Sequence, residues 1–194
     1  MGEHETATIL IVDDEPGLAD GHAARLQEHD VRTAYDGREA LDALDDAVDI
    51  VFLDRRMPGL SGDEVLEAAR DHGFDCRIVM VTGVEPSADI VSMGFDEYLR
   101  KPVDRAELRG TVQRMLRRAT YDEKLQEYFS LSAKRATLET ESTDDVEGMP
   151  EYEELCRRLE TVERELDEAL EDLPDDDGYV VATDGRIRAD SATD

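Results

Sequence analysis

Lysine is nearly missing from this chain. Only Lys101, Lys124 and Lys134 stand among 22 basic residues, against 50 acidic ones, for a net charge of −28. Such a surface repels nucleic-acid phosphates, so non-specific DNA binding by charge is disfavoured. It repels anionic membrane surfaces for the same reason. Cysteine is scarce as well: Cys76 and Cys156 lie far apart, without metal-ligand spacing, and read as free thiols in a reducing cytoplasm. The four histidines, His4, His22, His29 and His72, are scattered and form no metal-like pair. No phosphate-binding loop of the kinase type is present, and no Ser-His-Asp set stands out. No apolar run approaches the roughly 20 residues that span a bilayer, and Met1 to Thr8 is polar and acidic rather than signal-like. The expectation is a soluble, cytoplasmic protein without membrane partners.

The acid is spread along the whole chain rather than gathered in one block, which argues against an acidic partner-binding tail. It fits molar salt instead, where the Debye length shrinks to about 3 Å and self-repulsion is screened. A halophilic organism is the resulting hypothesis. Refolding at low and high KCl tests it, and full stability without salt would sink it.

Residues 6–118 alternate two kinds of segment. Strands are expected at 7–13, 30–35, 49–54, 77–82 and 95–99, and helices at Pro16–Glu28, Gly37–Asp46, Gly62–His72 and Pro86–Met93. Asp104 opens a longer helix, with Glu107 three residues on as in a capping box. Strands separated by helices of this length imply right-handed crossovers and a parallel sheet. Runs such as Ile9-Leu10-Ile11-Val12, Ile50-Val51-Phe52-Leu53 and Ile78-Val79-Met80-Val81 are continuously apolar, as strands covered on both faces should be. The more mixed strand 30–35 belongs at an edge. The fold class is α/β: a five-stranded, parallel, doubly wound sheet whose ligand crevice lies beyond the carboxyl ends of its strands.

Five candidate side chains fall at those ends. Asp13 and Asp14 close the first run, Asp54 the third and Thr82 the fourth, and Lys101-Pro102 follows Tyr98-Leu99-Arg100. Three carboxylates, a hydroxyl and an ammonium suit Mg²⁺-assisted phosphoryl transfer to a carboxylate. Attack brings one anion up to another, and a divalent cation offsets the repulsion. Asp54, alone at the end of the central run, is the expected nucleophile. Lys101 can pair with it at rest and with a phosphoryl oxygen afterwards, and Thr82 can donate to that oxygen. Reorienting Thr82 leaves space for Tyr98 to turn inward, which converts a charge event into a packing change. Each residue alone has a bland explanation, such as a helix cap, a turn or a solvated charge. The joint pattern is far less accidental.

These stretches, together with Asp13-Asp14-Glu15-Pro16, Leu53-Asp54-Arg55-Arg56-Met57-Pro58-Gly59-Leu60-Ser61-Gly62 and Val81-Thr82-Gly83, resemble the receiver domain of two-component response regulators, a flavodoxin-like fold. The resemblance covers residues 6 to about 118. It implies phosphorylation of Asp54 by a partner sensor histidine kinase. It implies Mg²⁺ held by Asp13, Asp14, Asp54 and the backbone carbonyl of Arg56, a Thr82/Tyr98 switch, and a cis Lys101-Pro102 peptide. Arg56 itself sits where it can shield the acyl phosphate or simply face solvent. Phosphatases with an aspartyl-phosphate intermediate usually carry a second Asp at that position, so rapid turnover is not expected and the chain is not read as an enzyme.

Composition shifts after Arg118. Residues 119–138 stay helix-forming, Glu139–Met149 reads as a loop, and 151–173 place Tyr152, Leu155, Leu159, Val162, Leu166, Ala169 and Leu173 in a 3-4 alternation. That seam closes either as a helical hairpin on 119–138 or as a coiled coil with a second copy. The stretch Leu116 to Phe129, with the helix around Tyr152 to Leu170, resembles the HalX domain found behind receivers in haloarchaeal regulators. The expected organisation is therefore a receiver at 1–118, a helical HalX-like domain at 119–173 and an acidic, disordered tail at 174–194. A homodimer through 86–112 or the 151–173 helix is one expected partner state. The alternative function is a DNA-binding transcriptional regulator acting through the C-terminal helices.

Overall fold

The computed structural model describes residues 6–83, 93–141 and 148–171. The chain divides into two compact units, Met1–Ala119 and Thr120–Asp194.

In the first unit five parallel strands, β1 (Thr8–Val12), β2 (Asp30–Ala34), β3 (Ile50–Asp54), β4 (Arg77–Thr82) and β5 (Glu97–Arg100), form one sheet of order β2-β1-β3-β4-β5. Helices α1 (Pro16–Ala23), α2 (Gly37–Ala43) and α3 (Gly62–Asp71) connect the first four strands, and α4 (Arg105–Glu141) follows the fifth. The mixed strand β2 lies at an edge, as its composition suggested. From β1 the chain steps one way to β2 and then the other way to β3. The carboxyl ends of β1 and β3 therefore flank the point where the winding reverses, and a doubly wound sheet opens its crevice there.

The unbroken apolar runs have a physical reason: alternate residues serve two cores. Leu10, Val12, Val51, Leu53, Ile78 and Met80 pack with Ala40 of α2 and Val65, Leu66 and Ala69 of α3. Ile9, Ile11, Ile50, Phe52, Val79 and Val81 pack on the opposite face with Ala19 of α1 and Leu108, Val112 and Met115 of α4. Polar residues set the helix starts. The Ser61 side chain accepts from the Glu64 N–H while the Glu64 carboxylate accepts from the Ser61 N–H, and the Asp36 carboxylate accepts from the Arg38 and Glu39 N–H groups. The Asp104 carboxylate accepts from the Glu107 N–H at 2.9 Å.

Three elements depart from expectation. α1 stops at Ala23 rather than Glu28, because the chain tightens into i→i−3 bonds, Arg25 N–H to His22 O (3.0 Å) and Leu26 N–H to Ala23 O (3.1 Å), that tuck Leu26 into the core. α2 stops at Ala43, where Leu44 turns to an extended conformation. β5 begins at Glu97 rather than residue 95. The expected helix Pro86–Met93 falls almost wholly outside the described residues, as do residues 142–147 of the expected loop and the whole tail 174–194.

α4 carries the chain from the first unit into the second without a break at residue 118; nothing in Arg117-Arg118-Ala119-Thr120-Tyr121 caps or breaks a helix. In the second unit, α5 (Pro150–Glu171) lays its 3-4 seam on α4 of the same chain: Val162 and Leu166 are buried with Tyr121, against Leu125, Tyr128, Leu131 and Ala169. Ion pairs edge the seam, Lys124 with Glu165 and Arg158 with Glu127 at 2.7 Å, and the Tyr152 hydroxyl donates to Glu139 at 2.6 Å. Within this single chain the seam closes as a hairpin. Among the described residues no helix is long and apolar enough to cross a membrane.

Candidate functional site

Parallel strands in register bring their ends to one edge. Asp54 ends β3 opposite Val81, Thr82 ends β4 opposite Arg100, and Asp13 and Asp14 follow Val12 directly. The Lys101 N–H donates to the Thr82 carbonyl at 2.9 Å, which holds the start of the loop after β5 against the end of β4. The Lys101-Pro102 peptide is cis.

The side chains converge. Carboxylate oxygens of Asp13, Asp14 and Asp54 lie within 4.8 Å of one another. Lys101 Nζ donates to Asp13 Oδ2 at 2.8 Å and to Asp54 Oδ2 at 2.9 Å. Asp13 is 2% exposed and Asp54 6%, so both charges sit out of bulk water, while Asp14 is half-buried. The Glu15 N–H donates to Asp13 Oδ1 (3.0 Å) and the Arg56 N–H points at Asp54 Oδ1 (3.4 Å). Burial pushes the Asp54 carboxyl above its ordinary range against the pull of Lys101. Burial alone would depress Lys101, but its bonds to Asp13 and Asp54 outweigh that and hold the ammonium above its usual value. Three carboxylates face one ammonium. The deficit of two positive charges is what a dication supplies, and an all-oxygen donor set suits Mg²⁺.

Thr82 is buried at the site's edge. Tyr98 is half-buried on the same sheet face as Met80, its strand partner, with its ring 5.8 Å from that of Phe95. The Arg56 side chain is exposed.

The packing roles of two motif residues escaped the sequence reading. A Cβ on Gly62 would come within 2.2 Å of the Asp54 carbonyl, so only glycine lets the start of α3 close against the strand end that presents the carboxylate. Its signal was a poor helix former directly after the Ser61 cap. Arg55, next to Asp54, forks onto Asp63 through Nε and Nη2 at 3.0 and 3.2 Å and staples the same loop. A cavity of about 360 Å³ beside Lys101, lined by Leu18, His22, Arg25 and Val103, also opens next to the site. His22 on its wall is buried, and burial with the nearby Arg25 depresses its pKa.

Comparison with known proteins adds to this geometry. The family model of the response regulator receiver domain matches residues 9–113, and that of the HalX domain matches 117–183. A Haloferax volcanii protein named "Putative transcriptional regulator" is 44% identical over 164 residues, 84% of this chain and 28% of its own length. The transcriptional regulatory protein CpxR of Escherichia coli is 34% identical over 123 residues, 61% of this chain and 53% of its own. This chain thus spans between about a quarter and a half of these relatives. The solved structure of the response regulator TrrA of Thermotoga maritima, in complex with Mg²⁺-BeF, superposes with a TM-score of 0.51 at 34% identity, covering 57% of this chain and 99% of that one. With the sheet order, the acidic strand-end cluster and the matched family model in agreement, the chain belongs to the response regulator receiver family, with a HalX domain behind its receiver.

Proposed function

We propose that Asp54 is the phosphoryl acceptor of this regulator and that its donor is a phosphohistidine of a sensor histidine kinase. The observation that carries the reading is the buried Asp54 carboxylate, held at 2.9 Å by Lys101 within a cluster two positive charges short of neutrality. Asp13, Asp14, Asp54 and the Arg56 carbonyl would hold Mg²⁺, which when bound offsets the repulsion between carboxylate and phosphoryl group. Lys101 keeps Asp54 in place before attack. An Asp54 oxygen forms the new O–P bond as the N–P bond of the donor breaks and the imidazole leaves. Lys101 and the Thr82 hydroxyl then donate to the phosphoryl oxygens. Thr82 moving toward the phosphoryl group frees the space into which Tyr98 turns. The exposed Arg56 replaces the carboxylate that a phosphatase would use to activate water, so the chain acts as a switch rather than as a turnover enzyme.

The names of the Haloferax and Escherichia relatives favour a role in transcription. Direct DNA contact through the helical unit is opposed by its charge. Of the six cations among its described residues, Lys124, Arg135, Arg157, Arg158 and Arg164 are each paired with a carboxylate. Cations so engaged have little to offer phosphates.

Acetyl phosphate with Mg²⁺ in molar KCl, followed by intact mass, tests the acceptor. One phosphoryl group should be gained and should vanish in Asp54→Asn. Absence of gain in a folded sample would refute the reading.

A further inference from the structure

Four residues around the start of β5 serve opposite sides of the sheet. Phe95 and Tyr98 pack on the face that carries α3. Glu97, one peptide from Tyr98, faces α4: its carboxylate accepts from Arg114 Nε at 3.3 Å, from Arg114 Nη2, and from the Thr111 hydroxyl at 3.4 Å. Asp96 between them is a hub. Its carboxylate accepts from Arg70 Nη2 (2.9 Å), Arg77 Nη1 (3.0 Å) and the Ile78 N–H (2.8 Å). Its carbonyl accepts from Arg118 Nη1 at 3.2 Å, one helical turn beyond Arg114.

We propose that Asp96 and Glu97 form a clamp that couples the position of Tyr98 to the order of α4 at Arg114 and Arg118. This deepens the switch reading above and rests on it. Adjacent strand residues point to opposite faces. A backbone rotation that carries the Tyr98 ring inward therefore turns Glu97 and the Asp96 carbonyl against their arginines. The carboxylates of Asp96 and Glu97 are each only 16% exposed, so a lost partner is poorly replaced by water. An arginine fork tolerates little misalignment. Val112 and Met115 stay anchored in the core, and the strain falls on the arginines beside them. Arg114 and Arg118 are positioning residues in this scheme and touch no phosphoryl chemistry.

Hydrogen exchange of the full chain in molar KCl, read on peptides covering 112–119, tests the clamp. Phosphorylating the wild type should speed exchange there by about tenfold, the loss of one charge-assisted bond. Arg114→Gln/Arg118→Gln should show that faster exchange without phosphorylation, take up phosphoryl groups as the wild type does, and respond no further. Wild-type protection in that variant, or an undiminished response to phosphorylation, would overturn the clamp. Arg114→Lys/Arg118→Lys keeps the charge but loses the fork and should fall between. Tyr98→Ala should also speed exchange at 112–119. If no mass gain occurs on Asp54, the acceptor reading fails by itself, and unchanged protection in Tyr98→Ala then rejects the clamp separately.

Discussion

The two units handle charge in opposite ways. In the receiver, Asp13, Asp14 and Asp54 cluster at the end of a sheet beside a single ammonium, which pairs with Asp13 and Asp54. In the helical unit carboxylates and cations pair off along and across the hairpin, as Arg158 does with Glu127 and Lys124 with Glu165. Paired charges near the surface fix register and contribute little energy. An unbalanced, buried cluster is costly to fold and is kept for what it binds. The contrast separates a site from a scaffold in a chain where acid is everywhere.

The largest effect should come from removing the one cation of the unbalanced cluster. Lys101→Ala takes away the donor that holds Asp54 and that the proposed transfer turns toward the phosphoryl oxygens. The initial rate of acetyl-phosphate-driven mass gain should fall by about 100-fold, as for loss of a transition-state donor. A rate within a factor of three of wild type would make Lys101 a structural partner of Asp13 only.

Core truncation in the scaffold comes next. Leu159 is 2% exposed on the α5 seam, and Leu159→Ala should destabilise the helical unit by about 3 kcal/mol. Phosphoryl uptake on Asp54 should be unchanged, because the proposed acceptor lies in the other unit. Circular dichroism melting beside intact mass checks both halves, and a parallel loss of uptake would show that the units do not work separately.

What could be read without coordinates followed the same divide. The strand-end residues were legible because unbroken apolar runs have unmistakable ends, and parallel strands in register must bring those ends together. The seam of α5 was legible from its spacing, but spacing is the same whether the covering helix belongs to the same chain or to another. The ends of α1 and α2 were not legible, since no Gly or Pro directly follows either helix and both ends are set by tertiary packing of Leu26 and Leu44. The close approach at Gly62 and the hub at Asp96 depend on which backbone atoms lie nearby, which no local pattern encodes.

A smaller effect lies in the stability of the cluster itself. Burial raises the Asp54 pKa, so between the ordinary carboxylate value of 3.8 and the raised one the folded state binds more protons than the unfolded. Stability contributed by Asp54 therefore falls as pH rises through that window and stays lower above it. Asp54→Asn removes the unfavourable charge and should be more stable than wild type at pH 7 without divalent cations, by about 1 kcal/mol. Saturating Mg²⁺ should reverse the order by stabilising the wild type by about 2.7 kcal/mol at a hundredfold excess over Kd. Denaturant titration with and without Mg²⁺ measures both, and an Asn variant less stable in each condition would refute the account.

The smallest effect is the one that defines the scaffold side of the contrast. Lys124 and Glu165 join α4 to α5 with both side chains about a quarter to a third exposed. A double-mutant cycle of Lys124→Ala and Glu165→Ala should give a coupling of about 0.5 kcal/mol at low salt. In molar KCl, where the Debye length is about 3 Å, the coupling should shrink toward zero. The Leu159→Ala cost should not shrink, since salting-out ions strengthen burial rather than screen it. If the ion pair kept its full coupling in molar salt, the helical unit would be held by its charges rather than by its seam. The distinction between a site that needs its charges and a scaffold that merely tolerates them would then fail.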